Sequence, residues 1–165
     1  MPVAATPAKL RIAVLYGGRS AEHEVSLMSA TNVMAALDPA RYEVVPIFVT
    51  RNGQWLLGSF DGGVPGTPES GTEVCPVPGG AGRMLAVEAD GRTSPLPAID
   101  ALFPVLHGLH GEDGSVQGLA EVARMPLVGC GILGSAVALD KDVAKRLLTQ
   151  AGIDTARSIT IEQSA

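Results

Sequence analysis

Short apolar runs that end in glycine alternate with stretches of helical periodicity along most of this chain. Leu10–Tyr16 closes at Gly17-Gly18, and Ala101–Leu106 closes at the polar, glycine-rich stretch His107–Gly118. Apolar runs of this length bounded by glycine are the mark of strands covered on both faces, so the pattern predicts two neighbouring parallel strands. From Glu22 to Leu37, Val25, Met28, Ser29, Val33 and Ala36 share one helical face, while Leu27, Ala30, Met34 and Leu37 form the adjoining one. That predicts a mostly buried helix ending at Asp38-Pro39. Tyr42–Thr50 predicts a further strand, with Pro46 at an edge or a bulge because it has no N–H to give a ladder. Asn52-Gly53 predicts a tight turn back onto Trp55–Leu57.

Residues 58–98 lack such periodicity: Gly and Pro recur every few positions, and only 73–77 and 83–87 look extended. Forty or so structureless residues are improbable inside a compact domain, so a β-rich insertion at about 55–98, lying on the surface, is predicted. Ser115–Ala123 predicts a short helix with Val116, Leu119, Val122 and Ala123 inward, Pro126–Gly129 a brief strand, and Cys130–Ser135 a loop. Asp140 is placed to cap a helix from Lys141 to Ala151 that stops at Gly152. Ser158–Ile161 reads as the start of another strand. An unpaired terminal strand is a poor end for a domain, so the sequence is expected to be cut short.

The fold class expected from this order is α/β, with a three-layer, mostly parallel sheet. Composition agrees: in 165 residues, 46% are hydrophobic and only 4% aromatic, so Ala, Val and Leu must fill the core. A formal charge of −5 and the lack of a Lys/Arg stripe argue against a nucleic-acid partner. No apolar run approaches a membrane span, and residues 1–9 lack the pattern of a secretory leader. Cys75 and Cys130 stand apart without zinc spacing, which fits reduced thiols in a cytoplasmic protein. Cys130 has no dedicated base nearby in sequence and reads as a small packed residue.

Three polar clusters carry candidate chemistry: Gly17–Ser26, the His107 loop, and Leu139–Lys145. If the sheet is doubly wound, the first two leave the same sheet edge and face one crevice. A carboxylate (Glu22) and an imidazole (His107) would then converge, a pairing suited to the ammonium and carboxylate ends of an amino acid. The plainer alternative is that Glu22 and Glu24 merely favour a helix N-terminus and that His107 is a structural histidine. Ser26, one turn after Glu22, is placed to orient it. Lys141 and Lys145 share a helical face and read either as solvated lysines or as a phosphate contact. His23 and His110 are expected on exposed surface, with no metal ligand set around them. Gly17-Gly18-Arg19-Ser20 fits neither the dinucleotide fingerprint nor a P-loop, which disfavours a dehydrogenase-type domain.

These motifs resemble the D-alanine:D-alanine ligase family of the ATP-grasp superfamily. The His107 loop matches H-G-x-x-G-E-D-G-x-V-Q-G at every fixed position. Gly-Gly-x-Ser-Ala-Glu-x-Glu-Val-Ser at 17–26 and Leu139-Asp140-Lys141 add to it. The resemblance implies a Rossmann-like substrate domain at 9–138 and the start of an ATP-grasp central domain at 139–165. It implies ATP-dependent joining of two D-alanines through an acyl phosphate, for peptidoglycan precursors. Glu22, His107 and Ser26 are then the catalytic residues, and Glu22, Val25, His107 and Gly108 hold the first D-alanine. Lys141 touches the nucleotide, no metal ligands lie in this part, and Mg2+ is held by regions beyond residue 165. The complete enzyme is expected to be a homodimer, and this chain alone to be inactive. The competing reading is a non-catalytic domain that binds an amino acid or supplies a dimer surface.

Overall fold

The computed structural model describes residues 8–161. Its strands are β1 (Leu10–Gly17), β2 (Tyr42–Val49), β3 (Trp55–Leu57), β4 (Phe60–Asp61), β5 (Val64–Pro65), β6 (Glu73–Pro76), β7 (Met84–Val87), β8 (Thr93–Leu96) and β9 (Ala101–Pro104). Its helices are α1 (His23–Ala36), α2 (Ser115–Ala123), α3 (Ile132–Leu139) and α4 (Lys141–Gln150). Seven strands form one sheet in the order β8-β7-β6-β3-β2-β1-β9, and β4 and β5 form a separate ribbon.

β1 lies between β2 and β9 and is parallel to both, with Ile12 opposite Val44 on one side and Ala101 on the other. Its side chains alternate between two cores. Ala13 and Leu15 join Leu102, Leu106, Val116, Ala120 and Ala123 on the α2 face. Ile12, Val14 and Tyr16 join Ala30, Met34, Phe48 and Val105 on the α1 face. The period of two along a strand thus feeds both outer layers, and the expected three-layer α/β arrangement is present.

The parallel pairings are confined to β2, β1 and β9. The insertion does not sit apart on the surface: β3, β6, β7 and β8 extend the same sheet by antiparallel pairing, so the sheet as a whole is mixed. Val74, Met84 and Ala86 are buried, because a sheet extension shares the face on which the core is built. Pro46 also falls inside the sheet rather than at its edge. Its carbonyl accepts from Gly58 N, and the β3 ladder starts only at Ile47 opposite Leu57. Its missing N–H faces the same side, at the very end of that pairing, where only one rung goes without a donor.

Other expectations change for reasons of packing. α1 is not mostly buried: His23, Ser26, Ala30 and Met34 form its inner stripe, while Val25 and Met28 are exposed. Apolar residues run all round this helix, and only one stripe can face a sheet. α2 is rotated likewise, with Val116, Gln117, Ala120 and Ala123 inward and Leu119 and Val122 exposed. The stretch expected as a loop at 130–135 begins α3, whose nearly continuous apolar sequence carries no periodic signal. Cys130 is exposed rather than packed. Pro126–Gly129 contributes one parallel bridge, Leu127 to Leu102, instead of a strand. Asp140 caps α4 as expected, its Oδ1 accepting from Asp142 N and Val143 N. Ser158–Ile161 is not a strand; no described strand pairs with it, and Ile159 and Ile161 are over 80% exposed. Residues 162–165 lie outside the described residues.

Candidate functional site

The loops after β1 and β9 leave the same end of the sheet, since the two strands are adjacent and parallel. One hydroxyl joins them: Ser20 Oγ accepts from Glu22 N at 3.1 Å and donates to the carbonyl of His107 at 2.7 Å. Glu22 is the N-cap residue of α1 and is exposed. Its carboxylate comes so near Gly108 that a Cβ there would lie 2.7 Å from Oε2. Gly108 has φ +68°, a conformation that only glycine adopts without strain. Glu22 and His107 are thus brought together, 85 residues apart in sequence.

His107 is held on two sides. Its Nε2 lies 3.1 Å from Ser29 Oγ on α1, and its Nδ1 lies 3.8 Å from Glu112 Oε1. The second distance is too long for a hydrogen bond, which leaves Nδ1 free for a ligand atom. Glu112 spends its other oxygen on Gly108 N at 2.7 Å. The carboxylate of Glu22 itself accepts no hydrogen bond from a described residue, so it retains its full acceptor capacity.

Downstream, Asp113 organises the approach to α2. Burial works against its ionisation, but N–H groups of His110 and Ser115, the Ser115 side chain and the nearby His110 hold its carboxyl below the usual value. Beside the loop lies a cavity of about 500 Å³ lined by His107, Glu112, Gln117, Ser135, Cys130 and Lys141 among others. Lys141 is exposed at this cavity, whereas Lys145 turns away and donates to the carbonyl of Ala156 at 3.0 Å. Glu22 does not line the cavity; it stands at the Gly108 side of the loop.

Two sequence-based placements are corrected. Ser26 does not orient Glu22: fully buried, it accepts from Gly17 N at 2.9 Å and donates to Val105 O at 2.5 Å, pinning α1 to β1 and β9. His23 is not on the surface either. It is 4% exposed, with Nδ1 2.7 Å from Gly18 O and its ring edge-on to Phe48. Position 23 falls on the sheet-facing stripe with 26, 30 and 34. His110 is exposed as expected, and Val25 is exposed on α1.

Ser20, Ser29, Glu112 and Gln117 were not legible as site residues. Glu112 and Gln117 stand at fixed positions of the loop motif, which is the one signal available for them. Ser29 counts in sequence only as a helix-face residue. Among the described residues no group of three or more His, Cys, Asp or Glu could hold a metal ion, and no helix is long and apolar enough to cross a membrane.

Comparison with known proteins places this geometry in context. Residues 11–130 match the family described as D-ala D-ala ligase N-terminus. A D-alanine–D-alanine ligase A of Brucella suis is 65% identical over 153 residues, which cover 93% of this chain and 43% of that protein. The crystal structure of VanG, a D-Ala:D-Ser ligase from Enterococcus faecalis, superposes with TM-score 0.74 at 33% identity, over 91% of this chain and 44% of that one. The D-alanine–D-alanine ligase of Coxiella burnetii gives TM-score 0.71 at 34% identity, over 88% and 42%. The chain spans less than half the length of each of these relatives.

Proposed function

This chain belongs to the D-ala D-ala ligase N-terminus family, and we propose that it supplies the D-alanine-holding side of an ATP-dependent ligase that joins two D-alanines. The observation that carries the reading is that the loops leaving neighbouring strand ends set the Glu22 carboxylate against Gly108, the residue next to His107. Glu22 presents a carboxylate with no hydrogen-bond partner among the described residues to the ammonium group of the first D-alanine, and His107 turns its Nδ1 toward that substrate's carboxylate. Gly108 gives both room, and Val25 on the exposed side of α1 meets the ligand from the helix. Two of the relatives differ in the second residue that their names give, serine or alanine, yet both begin with D-alanine. The shared N-terminal region is accordingly assigned the shared first substrate.

ATP supplies a phosphoryl group to the first carboxylate, leaving ADP; the amine of the second D-alanine then displaces phosphate from the acyl phosphate to form the dipeptide used for peptidoglycan precursors. This chain's part is to bind and orient. Lys141, an exposed cation at the cavity that also holds His107, is assigned to the nucleotide phosphates. Magnesium is assigned to parts of the ligase other than the described residues. The division into 9–138 and 139–165 belongs to the same proposal and is supported by the break at Asp140 between α3 and α4. The same proposal includes a homodimer, to which the exposed Met28 of α1 lends apolar surface, and a cytoplasmic setting, which the unpaired Cys75 and Cys130 fit.

Phosphoryl transfer is catalysed by positioning and charge stabilisation around the triphosphate, and exposed cations alone supply little of either. Residues 1–165 by themselves are expected to release no ADP, while the chain extended to the length of its relatives releases ADP when D-alanine is added. Turnover of D-alanine by the 165 residues alone would overturn the proposal.

A further inference from the structure

Gln117 lies in the first turn of α2 and is 8% exposed. Its Nε2 donates to the carbonyl of Gly111 at 2.8 Å. A carbonyl only accepts, so the amide nitrogen must face Gly111 and the amide oxygen must face the other way. That oxygen has no partner among the described residues, and Gln117 lines the same cavity as His107, Glu112, Ser135 and Lys141. An orphan acceptor at a buried position costs stability that an apolar side chain of the same shape would not. An orphan acceptor in one enforced orientation breaks a local rule in the way functional positions do.

The carbonyl it holds belongs to the tightest part of the His107 loop. Gly111 N and Glu112 N both donate to Gly108 O, at 3.1 and 2.9 Å, and Gly108 N donates to Glu112 Oε2. A Cβ on Gly111 would fall 2.6 Å from the Cβ of Leu106 and 2.8 Å from its carbonyl carbon, so the turn rests directly on Leu106, two residues past the end of β9. His107 is the single residue between Leu106 and this turn. Once Gln117 fixes the turn from beneath, the path of the chain through His107 and the reach of Glu112 are fixed with it.

We propose that Gln117 is a positioning residue: by holding Gly111 it sets the 108–112 turn, and through that turn the imidazole of His107 and the carboxylate of Glu112. The proposal rests on the reading of His107 as a contact to the first D-alanine.

The test uses a full-length ligase carrying this chain, with Gln117→Met, Gln117→Glu and His107→Gln compared for each substrate. Gln117→Met keeps the shape and removes the donor; it is expected to raise KM for D-alanine roughly tenfold while KM for ATP stays within about twofold. Ionised Gln117→Glu has no donor for Gly111 and regains one on protonation, so its KM for D-alanine, taken relative to the unsubstituted enzyme, falls toward parity as pH is lowered. A lower Tm with both KM values unchanged makes Gln117 a packing residue and overturns the proposal, as does a joint rise of both. If Gln117→Met does not fold, the pH rescue of Gln117→Glu decides, and a flat ratio overturns it. An unchanged KM for D-alanine in His107→Gln removes the underlying reading of His107, whatever Gln117 does.

Discussion

The carboxylate of Glu22 occupies the space that a side chain on Gly108 would take, its Oε2 2.7 Å from where a Cβ would stand. The relation runs between the first turn of a helix and the loop of a strand far along the chain. It couples the glycine at 108 to the glutamate at 22: a side chain on the first would push the carboxylate of the second aside.

Replacing Glu22 by Gln in the full-length ligase keeps that shape and removes the charge. A hydrogen bond to a charged group contributes about 1.5–3 kcal/mol, so the KM for the first D-alanine should rise roughly ten- to a hundred-fold. Steady-state kinetics with each substrate varied separately should show the KM for ATP little changed. The reverse pattern would take Glu22 out of contact with the amino acid.

Gly108→Ala should disturb the same pair from the other side. The residue has φ +68°, where a Cβ costs about 1–2 kcal/mol, and the added methyl would displace Glu22. Both a lower Tm and a higher KM for D-alanine are expected. Gly62→Ala is the control, since its φ is +60° but nothing stands within 4 Å of the added Cβ. Strain without displacement should lower Tm and leave KM alone; equal KM effects in the two variants would refute the steric account.

Ser26→Ala addresses the residue that sequence reasoning had placed beside Glu22. The substitution leaves Gly17 N and Val105 O without their partner, and buried orphan groups cost about 1–3 kcal/mol. Tm should fall by about 2–4 °C per kcal/mol lost. The ratio of the KM values for D-alanine and ATP should stay as in the parent, and a selective change in the former would return Ser26 to a substrate role.

Tyr16 gives the fold an alkaline signature. It is fully buried, and burial pushes its phenol up to about 12, while its hydroxyl donates to Gly66 O at 2.6 Å. A folded value above the unfolded one favours the neutral phenol in the native state. Its contribution is complete below the unfolded value of about 10 and is lost as pH rises toward the folded one. Melting curves should therefore show stability falling between about pH 10 and 12. Tyr16→Phe should flatten that part of the profile, and an unchanged slope would locate the alkaline sensitivity elsewhere.

The neighbouring strands at 10–17 and 101–104, the helix between 22 and 37, the cap at Asp140 and the two polar loops at one sheet edge were all legible in the sequence. Each follows from near-neighbour rules: apolar runs, helical period, glycine at a strand exit. The family was legible too, because the fixed positions of the His107 loop all fall within one short stretch, 107–118. α3 was not, since an apolar stretch with Gly134 and Ser135 in it has no period to read.

What only the tertiary structure decided is which face of each element turns inward and which atoms meet across the loops. His23 and Ser26 became interior because the sheet selects one stripe of α1, and a helix with apolar residues all round does not announce which. The insertion became part of the main sheet because an edge strand will pair with any extended segment that reaches it, a choice made by geometry rather than by local pattern. Gln117 turned inward because α2 rotated to rest Ala120 and Ala123 on the core. Local sequence fixes periods and ends, but hydrogen bonds such as Ser20 to His107 or Gln117 to Gly111 depend on the rotation and height of packed elements, which are set by the whole core at once.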